Sequence, residues 1–531
     1  MFEASRIPFR SWVMIPIVVL VWLCAGIGLL YFRPSFVEAY ARRAVMRTLA
    51  HRFQSDVELQ ELHIQVVPRL RVAGSNLTLR YHGRVDVPPL IQIGSFAFSG
   101  GLLSLLRPVP HIPVLYVHDL QITIPPREAQ EEKSEPANRS FTNRMSDVVV
   151  DQVICEQAVI RILPHQSAKA PLEWQIHQLT LSSASPTDPF RFQGNLTNGK
   201  PVGEIATRGQ FGPWNSDDPG ATPITGEYQF DHADLTPLPG IGGILSSTGR
   251  YRGVLTKLEV EGITDTPDFT LDAVGEPVPL HTEFSATVDG TTGDTQLRPV
   301  NATLGHSLII AEGTVERVPG VRGHLISFEA TVPDGRIQDF LKLATRSEKP
   351  ILSGSVKIDA KIVLPPGKES ALDKLSLDGR FGVVSGSWSN PAMREKLESL
   401  SRRALGKPQE QDVGSAITDL GGNFFVRDAV VHFRQLTFQI EGATVELTGS
   451  YALRRPGTLD LAGHLVLHAK LSQTVTGYKS LFLKAFDPFF EKKEEGAVLP
   501  IRITGTRENP VFSVTVFHKS FEKTLKPNNT K

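Results

Sequence analysis

Cysteine is almost absent. Cys24 and Cys155 are the only two in 531 residues. That excludes a disulfide-stapled scaffold and a Cys-rich zinc fold. An excess of charge of either sign is missing too, with 56 Lys and Arg against 56 Asp and Glu. A protein that neutralises a phosphate backbone carries a basic excess, so the balance argues against a nucleic-acid partner. Tyr (8) and Trp (5) are scarce beside 28 Phe. Phe has no polar tip, so these rings suit apolar surfaces better than polar binding sites.

The signatures of common chemistry are also missing. Gly240-Ile-Gly242-Gly243 has Leu245 where a dinucleotide fingerprint needs Gly, and neither a P-loop nor a GxSxG elbow occurs. His464 and His468 stand four apart in an alternating stretch. As a strand, four residues span about 13 Å, too far for two imidazoles on one zinc. Asp217-Asp218 sits in a Pro/Gly loop and reads as an exposed turn. No catalytic, cofactor-binding or metal-binding residue is assigned, and the chain reads as a non-enzyme.

What is present suggests a large folded chain with many turns. Apolar residues make up 40%, with 44 Gly and 38 Pro, which lies in the globular range. Trp12 to Phe32 is free of charge and long enough to cross a bilayer core of about 30 Å. It exceeds the roughly 7–15 apolar residues of a cleaved leader, so an uncleaved anchor is expected. Arg6 and Arg10 precede it, whereas Arg33, Arg42, Arg43, Arg47 and Arg52 follow. Counted alone, these charges place the C-terminal side in the cytoplasm, although the rule is weak before a long domain. Residues 35–53 read as an amphipathic helix with Phe36, Tyr40, Ala44, Val45, Leu49 and Phe53 on one face. Its arginines suit either lipid phosphates or a solvated face.

From Asp56 the period changes to two. Val57 and Leu59 are followed by Leu62, Ile64 and Val66, then Leu70, Val72, Leu77, Leu79 and Tyr81. Ile91, Ile93, Phe96 and Phe98 mark another strand, as do Leu115, Val117, Leu120, Ile122 and Ile124. Alternation of this kind predicts sheets with one apolar and one solvated face, about twenty strands in all. Residues 126–146 interrupt it with a charged stretch that reads as a flexible linker, and a second loop is expected over 209–223. Asn390-Pro391 opens a helix closed by Gly406, with Met393, Leu397, Leu400 and Ala404 on one face. Arg336–Thr345 and Gly477–Ala485 are shorter helix candidates.

One element recurs without a fixed period: apolar-x-Gly-x-apolar, centred on Gly226, Gly354, Gly379, Gly422, Gly449 and Gly463. With period two the glycine shares the apolar face. Gly inside a strand marks a bend or a close approach, so these six are candidate crease glycines of a curved sheet. The alternative is a set of unrelated bulges.

VELQELHIQVVPRLRVAGSNLTLRY after the anchor, LLRPVPHIPVLYVHDLQITIP beyond it, and LTGSYALRRPGTLDLAGHLVL with the segment Leu499 to Phe512 near the end resemble AsmA-family proteins. These motifs are loose hydrophobic-and-glycine patterns, and the acidic stretch at 128–135 matches none of them. The resemblance implies a bacterial inner-membrane anchor, single-pass, with the bulk of the chain in the periplasm, against the arginine count. It also implies a bridge-like lipid carrier: a long, strongly curved, mostly antiparallel β-sheet forming an apolar groove, with a few short helices. The implied partners are phospholipid acyl chains, the inner membrane and possible outer-membrane or other envelope proteins.

The expected organisation is a short tail (1–11), the span (12–32), the amphipathic helix (33–54), an N-terminal β region (55–125), the linker (126–146), a central groove region (147–389), a helix (390–406), a C-terminal β region (407–518) and a tail (519–531). Candidate groove-lining residues are Phe381, Val383, Phe433, Phe438 and Ile440. The leading function is carriage or shielding of acyl chains between inner and outer membrane, in support of envelope integrity. The alternative is a non-transporting periplasmic scaffold or assembly factor for outer-membrane proteins. If 12–32 is retained with the rest outside the cytoplasm, protease added to spheroplasts degrades the chain. Full protection of the domain would show that the arginine count was right about orientation.

Overall fold

The computed structural model describes most of residues 34–524, apart from 126–148, 475–483, 485–490 and a number of shorter segments. The expected span, the linker at 126–146 and the helix candidate at 477–485 therefore lie outside the described residues. Among the described residues, no helix is long and apolar enough to cross a membrane. The chain is mainly β, its strands forming a mixed sheet with few short helices. It divides into two compact units. The first comprises residues up to Gly199 with Glu204–Tyr228 and Tyr251–Thr256; the second comprises Lys200–Gly203, Gln229–Arg250 and Lys257 onward.

The first unit opens with helix α1 (Pro34–Phe53). Strands β1 (Ser55–Gln65), β2 (Leu70–Tyr81), β3 (Ile91–Gly100), β4 (His111–Ile124), β5 (Val149–Ile162), β6 (Leu172–Ser182) and β7 (Phe190–Gly199) follow. They pair in chain order, β1 with β2 through to β6 with β7. Ala41, Val45, Met46, Leu49 and Phe53 of α1 pack on Leu59, Leu62, Leu70, Val72, Leu77 and Leu79. Tyr40, expected on that face, is 68% exposed. The buried face runs one position later in the chain, at Ala41, because the contact follows the four-residue ridge through Ala41, Val45 and Leu49. Glu38 accepts a hydrogen bond from Ile64 N (3.2 Å), and Arg42 donates to Gln60 O (3.0 Å). Side chains of the helix thus satisfy two backbone groups of β1.

The alternation in these strands skips a step. Leu59 and Leu62 are both buried, as are Val117 and Leu120, Cys155 and Ala158, and Ile176 and Leu179. A spacing of three would turn one of each pair to solvent if the strand were regular. The register shows how it is avoided. The ladders pass over Gln60 and Asn76, then Gly94, Asp119, Gln157 and His177. Asn76, Asp119 and Gln157 have φ of 52°, 55° and 59°. Each of these three left-handed residues costs about 1–2 kcal/mol, and Asn and Asp bear it best. The irregularities line up across six strands, so the apolar side stays on one face while the strands bend together.

The β4–β5 pair is parallel, from His111↔Val149 to Ile124↔Ile162; every other described pair is antiparallel. A parallel pair needs a long return connection, and residues 125–148 supply it. The return covers about 13 strand steps, or roughly 43 Å. Deleting Gln130–Asn138 leaves about 15 connecting residues with a reach of about 50 Å; little change in melting temperature is expected. Deleting Glu128–Arg144 leaves about 7 residues reaching about 25 Å, too short for the register. That variant should lose its cooperative thermal transition; an unchanged transition would refute the parallel pairing.

Strands β8 (Val202–Phe211), β9 (Ile224–Asp234), β10 (Ile241–Gly242) and β11 (Ile244–Val254) follow. Gly209 to Phe211 belong to β8, so the loop expected from 209 begins at Gly212. The second unit continues with β12 (Lys257–Leu271), β13 (Val278–Val288), β14 (Thr295–Leu304), β15 (Ser307–Arg317) and β16 (His324–Arg336). Next come helix α2 (Ile337–Ala344), β17 (Leu352–Leu364), the single turn α3 (Ala371–Lys374), β18 (Ser376–Trp388) and helix α4 (Pro391–Ala404). Strands β19 (Thr418–Arg427), β20 (Val430–Ile440), β21 (Ala443–Ala452), β22 (Thr458–Leu467), β23 (Glu491–Lys492), β24 (Glu495–Thr506), β25 (Pro510–Val516) and β26 (Lys519–Thr524) complete it.

Both longer helices of this unit leave the same rim of its antiparallel ladder. In α2, Phe340 and Leu343 pack on Val278 and Leu304. Its buried Asp339 accepts from His306 N (3.0 Å) and Ser307 Oγ (2.9 Å). In α4, Leu400 and Ala404 join the cluster of Ile440, Ala443 and Val445, and Ser401 Oγ donates to Glu441 O. The helix stops as expected at Gly406 (φ +73°), where Gly406 N bonds Arg403 O and Lys407 N bonds Arg402 O. That pair of bonds is a Schellman motif.

Candidate apolar face

The feature that asks for an explanation is one face of β16–β24 in the second unit. Pairing sets its residues in rows across the strands. The row nearest the hairpin rim runs Phe328, Ile362, Leu377, Val426, Val431, Tyr451, Leu459. The second runs Ala330, Ala360, Gly379, Phe424, Phe433, Gly449, Leu461, Ile503. The third runs Val332, Ile358, Phe381, Gly422, Leu436, Leu447, Gly463, Ile501. A fourth contains Val356 paired with Val383, and Val445 with Leu465 and Leu499; a fifth contains Ile440, Ala443 and Leu467.

Burial rises across the rows toward the helices. Every residue named in the fourth and fifth is buried, from 0% for Val356 to 7% for Leu499. In the first three rows only Val426, Leu461, Val332 and Leu447 reach that state; the others keep partial solvent contact. Large apolar side chains at partial exposure, contiguous over eight strands, are not a surface that a protein leaves in water without a reason.

The glycines shape this face. A β-carbon on Gly379 would meet Asp359 O at 3.0 Å and the Phe424 ring at 3.2 Å. On Gly422 it would meet Gln435 O at 2.6 Å and Phe381 at 3.2 Å. On Gly449 and Gly463 it would collide with Asp460 O and Glu446 O. In each case the carbonyl of a neighbouring strand leans over the glycine. Gly354 meets Val384 O at 3.1 Å near the helix rim, and Gly226, in the first unit, meets Arg208 O at 2.9 Å. Close backbone approach is a standard use of Gly within a strand.

The candidate lining residues separate. Phe381 and Phe433 lie in the open rows, and Phe438 is half-buried; Val383 (1%) and Ile440 (4%) are sealed among protein atoms. Phe424 was not among the candidates. Its ring lies 6.0 Å from that of Phe381 and 6.4 Å from that of Phe433, joining the two. The sequence held a signal for it, as the apolar end of the repeat around Gly422.

The opposite face is polar and paired. Lys361 bonds Glu329 (3.1 Å), Arg380 bonds Asp359 (2.8 Å), Arg434 bonds Asp378 (2.6 Å) and Arg502 bonds Asp460 (2.9 Å). The Arg380 hydrogen bond holds Asp359 below the ordinary carboxylate range, and the Arg434 hydrogen bond does the same for Asp378. A shallow concavity there, bordered by Glu329, Asp359, Lys361, Arg380 and Arg434, has its charges already matched. His464 and His468 are exposed. Among the described residues no group of His, Cys, Asp and Glu is arranged to hold a metal. No family model, curated protein or solved structure matches the chain.

Gly463→Val would force the Glu446 carbonyl away. It should destabilise the second unit by several kcal/mol, read as a lower denaturation midpoint; an unchanged midpoint would show that the carbonyl has room to move. In the first unit, burial pushes the Cys155 thiol up to about 11 from 9.0. The native thiol should resist iodoacetamide at pH 8 and react once denatured. The folded state favours the neutral thiol, so its contribution to stability is present below about pH 9 and is lost as pH rises toward 11.

Proposed function

We propose that the chain is an AsmA-like envelope protein, anchored in the bacterial inner membrane with its bulk in the periplasm. In this reading it shields or carries phospholipid acyl chains on the apolar face of β16–β24, and no catalytic step is assigned to it. The carrying observation is the partial exposure of most side chains in three contiguous apolar rows. A closed sandwich would bury them as completely as the fourth and fifth rows are buried. Acyl chains would cover them with fluid hydrocarbon, which tolerates the uneven relief of Phe beside Gly. The matched ion pairs on the other face fit a sheet with one wet side.

The test compares two carboxylates. Val356→Asp places an unpaired charge in a dry protein core and should abolish folding of the second unit. Phe424→Asp places one at an open row; the circular dichroism spectrum and melting transition should persist. Phospholipid recovered by mass spectrometry with the purified full chain should fall sharply in the second variant. If the wild-type chain carries no acyl lipid, or Phe424→Asp unfolds as Val356→Asp does, the reading fails and the scaffold alternative gains.

A further inference from the structure

Helix α1 turns one face to the sheet and leaves the opposite one uncovered. Ala41, Val45, Met46, Leu49 and Phe53 pack on β1 and β2. At 3.6 residues per turn, Tyr40, Arg43 and Arg47 stand on the far side with Ala44 beside them, and all four are exposed. Tyr40, at 68%, is the most exposed large apolar side chain among the described residues. The helix carries four arginines and a single acid, Glu38. Glu38 is turned to the sheet, where it accepts from Ile64 N and lies 3.7 Å from His63. Arg42 is turned there too, donating to Gln60 O. The outward face thus holds two arginines and a tyrosine, and no acid of the helix offsets them.

Exposed arginines alone fit a merely solvated face. Tyr40 and the place of α1 in the chain argue for more. The charge-free run from Trp12 ends at Phe32, two residues before Pro34 opens α1. In the anchored reading, α1 therefore starts within the headgroup layer, which is about 5–8 Å thick on each side. Standing upright, the helix would carry Arg47 about 20 Å from Pro34, out of that layer. Lying flat, it keeps Tyr40, Arg43 and Arg47 in the layer together. Arg33 precedes a proline, a position that disfavours helix, so the chain can change direction there.

We propose that α1 lies flat on the bilayer surface beside the span, with Arg43 and Arg47 on the phosphates of anionic lipids and Tyr40 at the interface between them. The inference rests on the anchored reading above and adds a membrane-surface contact outside the apolar face of β16–β24. Arginines favour an anionic surface, and tyrosine favours the interface. The apolar side of α1 is committed to the sheet, so the helix sits on the surface and does not insert. The short tether holds it there at high effective concentration, so a weak contact suffices.

The experiment uses the full chain in vesicles of phosphatidylcholine, alone or mixed with phosphatidylglycerol. A photo-crosslinking benzophenone amino acid at position 40 should capture phosphatidylglycerol. The same probe at position 58, on the face of β1 turned away from α1, should not. Arg43→Glu/Arg47→Glu should lower capture about tenfold, and Arg43→Lys/Arg47→Lys should retain it. Both arginines are exposed, so the melting transition should persist in each variant. Capture by the unaltered arginines should also fall as ionic strength rises, a readout that needs no variant. If position 40 captures no lipid, or capture ignores both charge reversal and salt while the chain resists alkaline extraction, the surface contact is overturned and the anchor stands. If alkaline wash strips the chain from the vesicles, the anchor reading falls and the contact with it.

Discussion

One constraint governs this chain: a sheet apolar on one face must cover that face. The covering is uneven. In the first unit, α1 and the paired strands seal Leu59, Leu62, Leu77 and Leu79. In the second, α2 and α4 seal one rim. At roughly 25 cal/mol per Å², the sealed rows supply the larger stabilisation per residue. The open rows forgo part of it, and that unclaimed burial is what a hydrocarbon ligand would gain.

The glycines and the out-of-register residues solve a related problem. A long strand that stays regular has its apolar side fixed by parity. In the first unit, the aligned skips at Asn76, Asp119 and Gln157 let the strands bend without turning that side outward. In the second, neighbouring carbonyls lean over Gly379, Gly422, Gly449 and Gly463, and aromatic rings settle beside the space left by the missing side chains. Phe381, Phe424 and Phe433 therefore form a joined aromatic patch rather than a wall of separate rings. Charge is arranged to match: acids and bases pair across strands on the wet face, which keeps that face solvated and discourages a second sheet from stacking there.

Much of this was legible in the amino-acid order. Period-two alternation announced the strands, because each side chain points to the face opposite its neighbour's. Pro391 in the first turn and Gly406 past the last bracketed α4, because helix ends are local chemistry. The repeat around Gly379 and Gly422 marked residues that share the apolar face. Three-residue steps such as Leu59 to Leu62 were visible as well, but their meaning was not. Only the partner strand shows that the ladder passes over one residue on each side. Tyr40 illustrates the same limit: helical spacing allows two neighbouring faces, and the position of β1 selects one.

The sequence by itself determined the strands, their apolar side, the helix ends and the absence of a recognisable catalytic constellation, because each depends on residues close together in the chain. Tertiary structure decided which apolar residues are sealed and which stay open. Val383 and Phe381 stand two apart on one strand and read alike in sequence. Val383 is dry in a row where it pairs with buried Val356, and Phe381 keeps solvent contact one row farther from the helix end of the strand. Burial is a property of what lies opposite, and what lies opposite is set by register and by where a helix returns over the sheet.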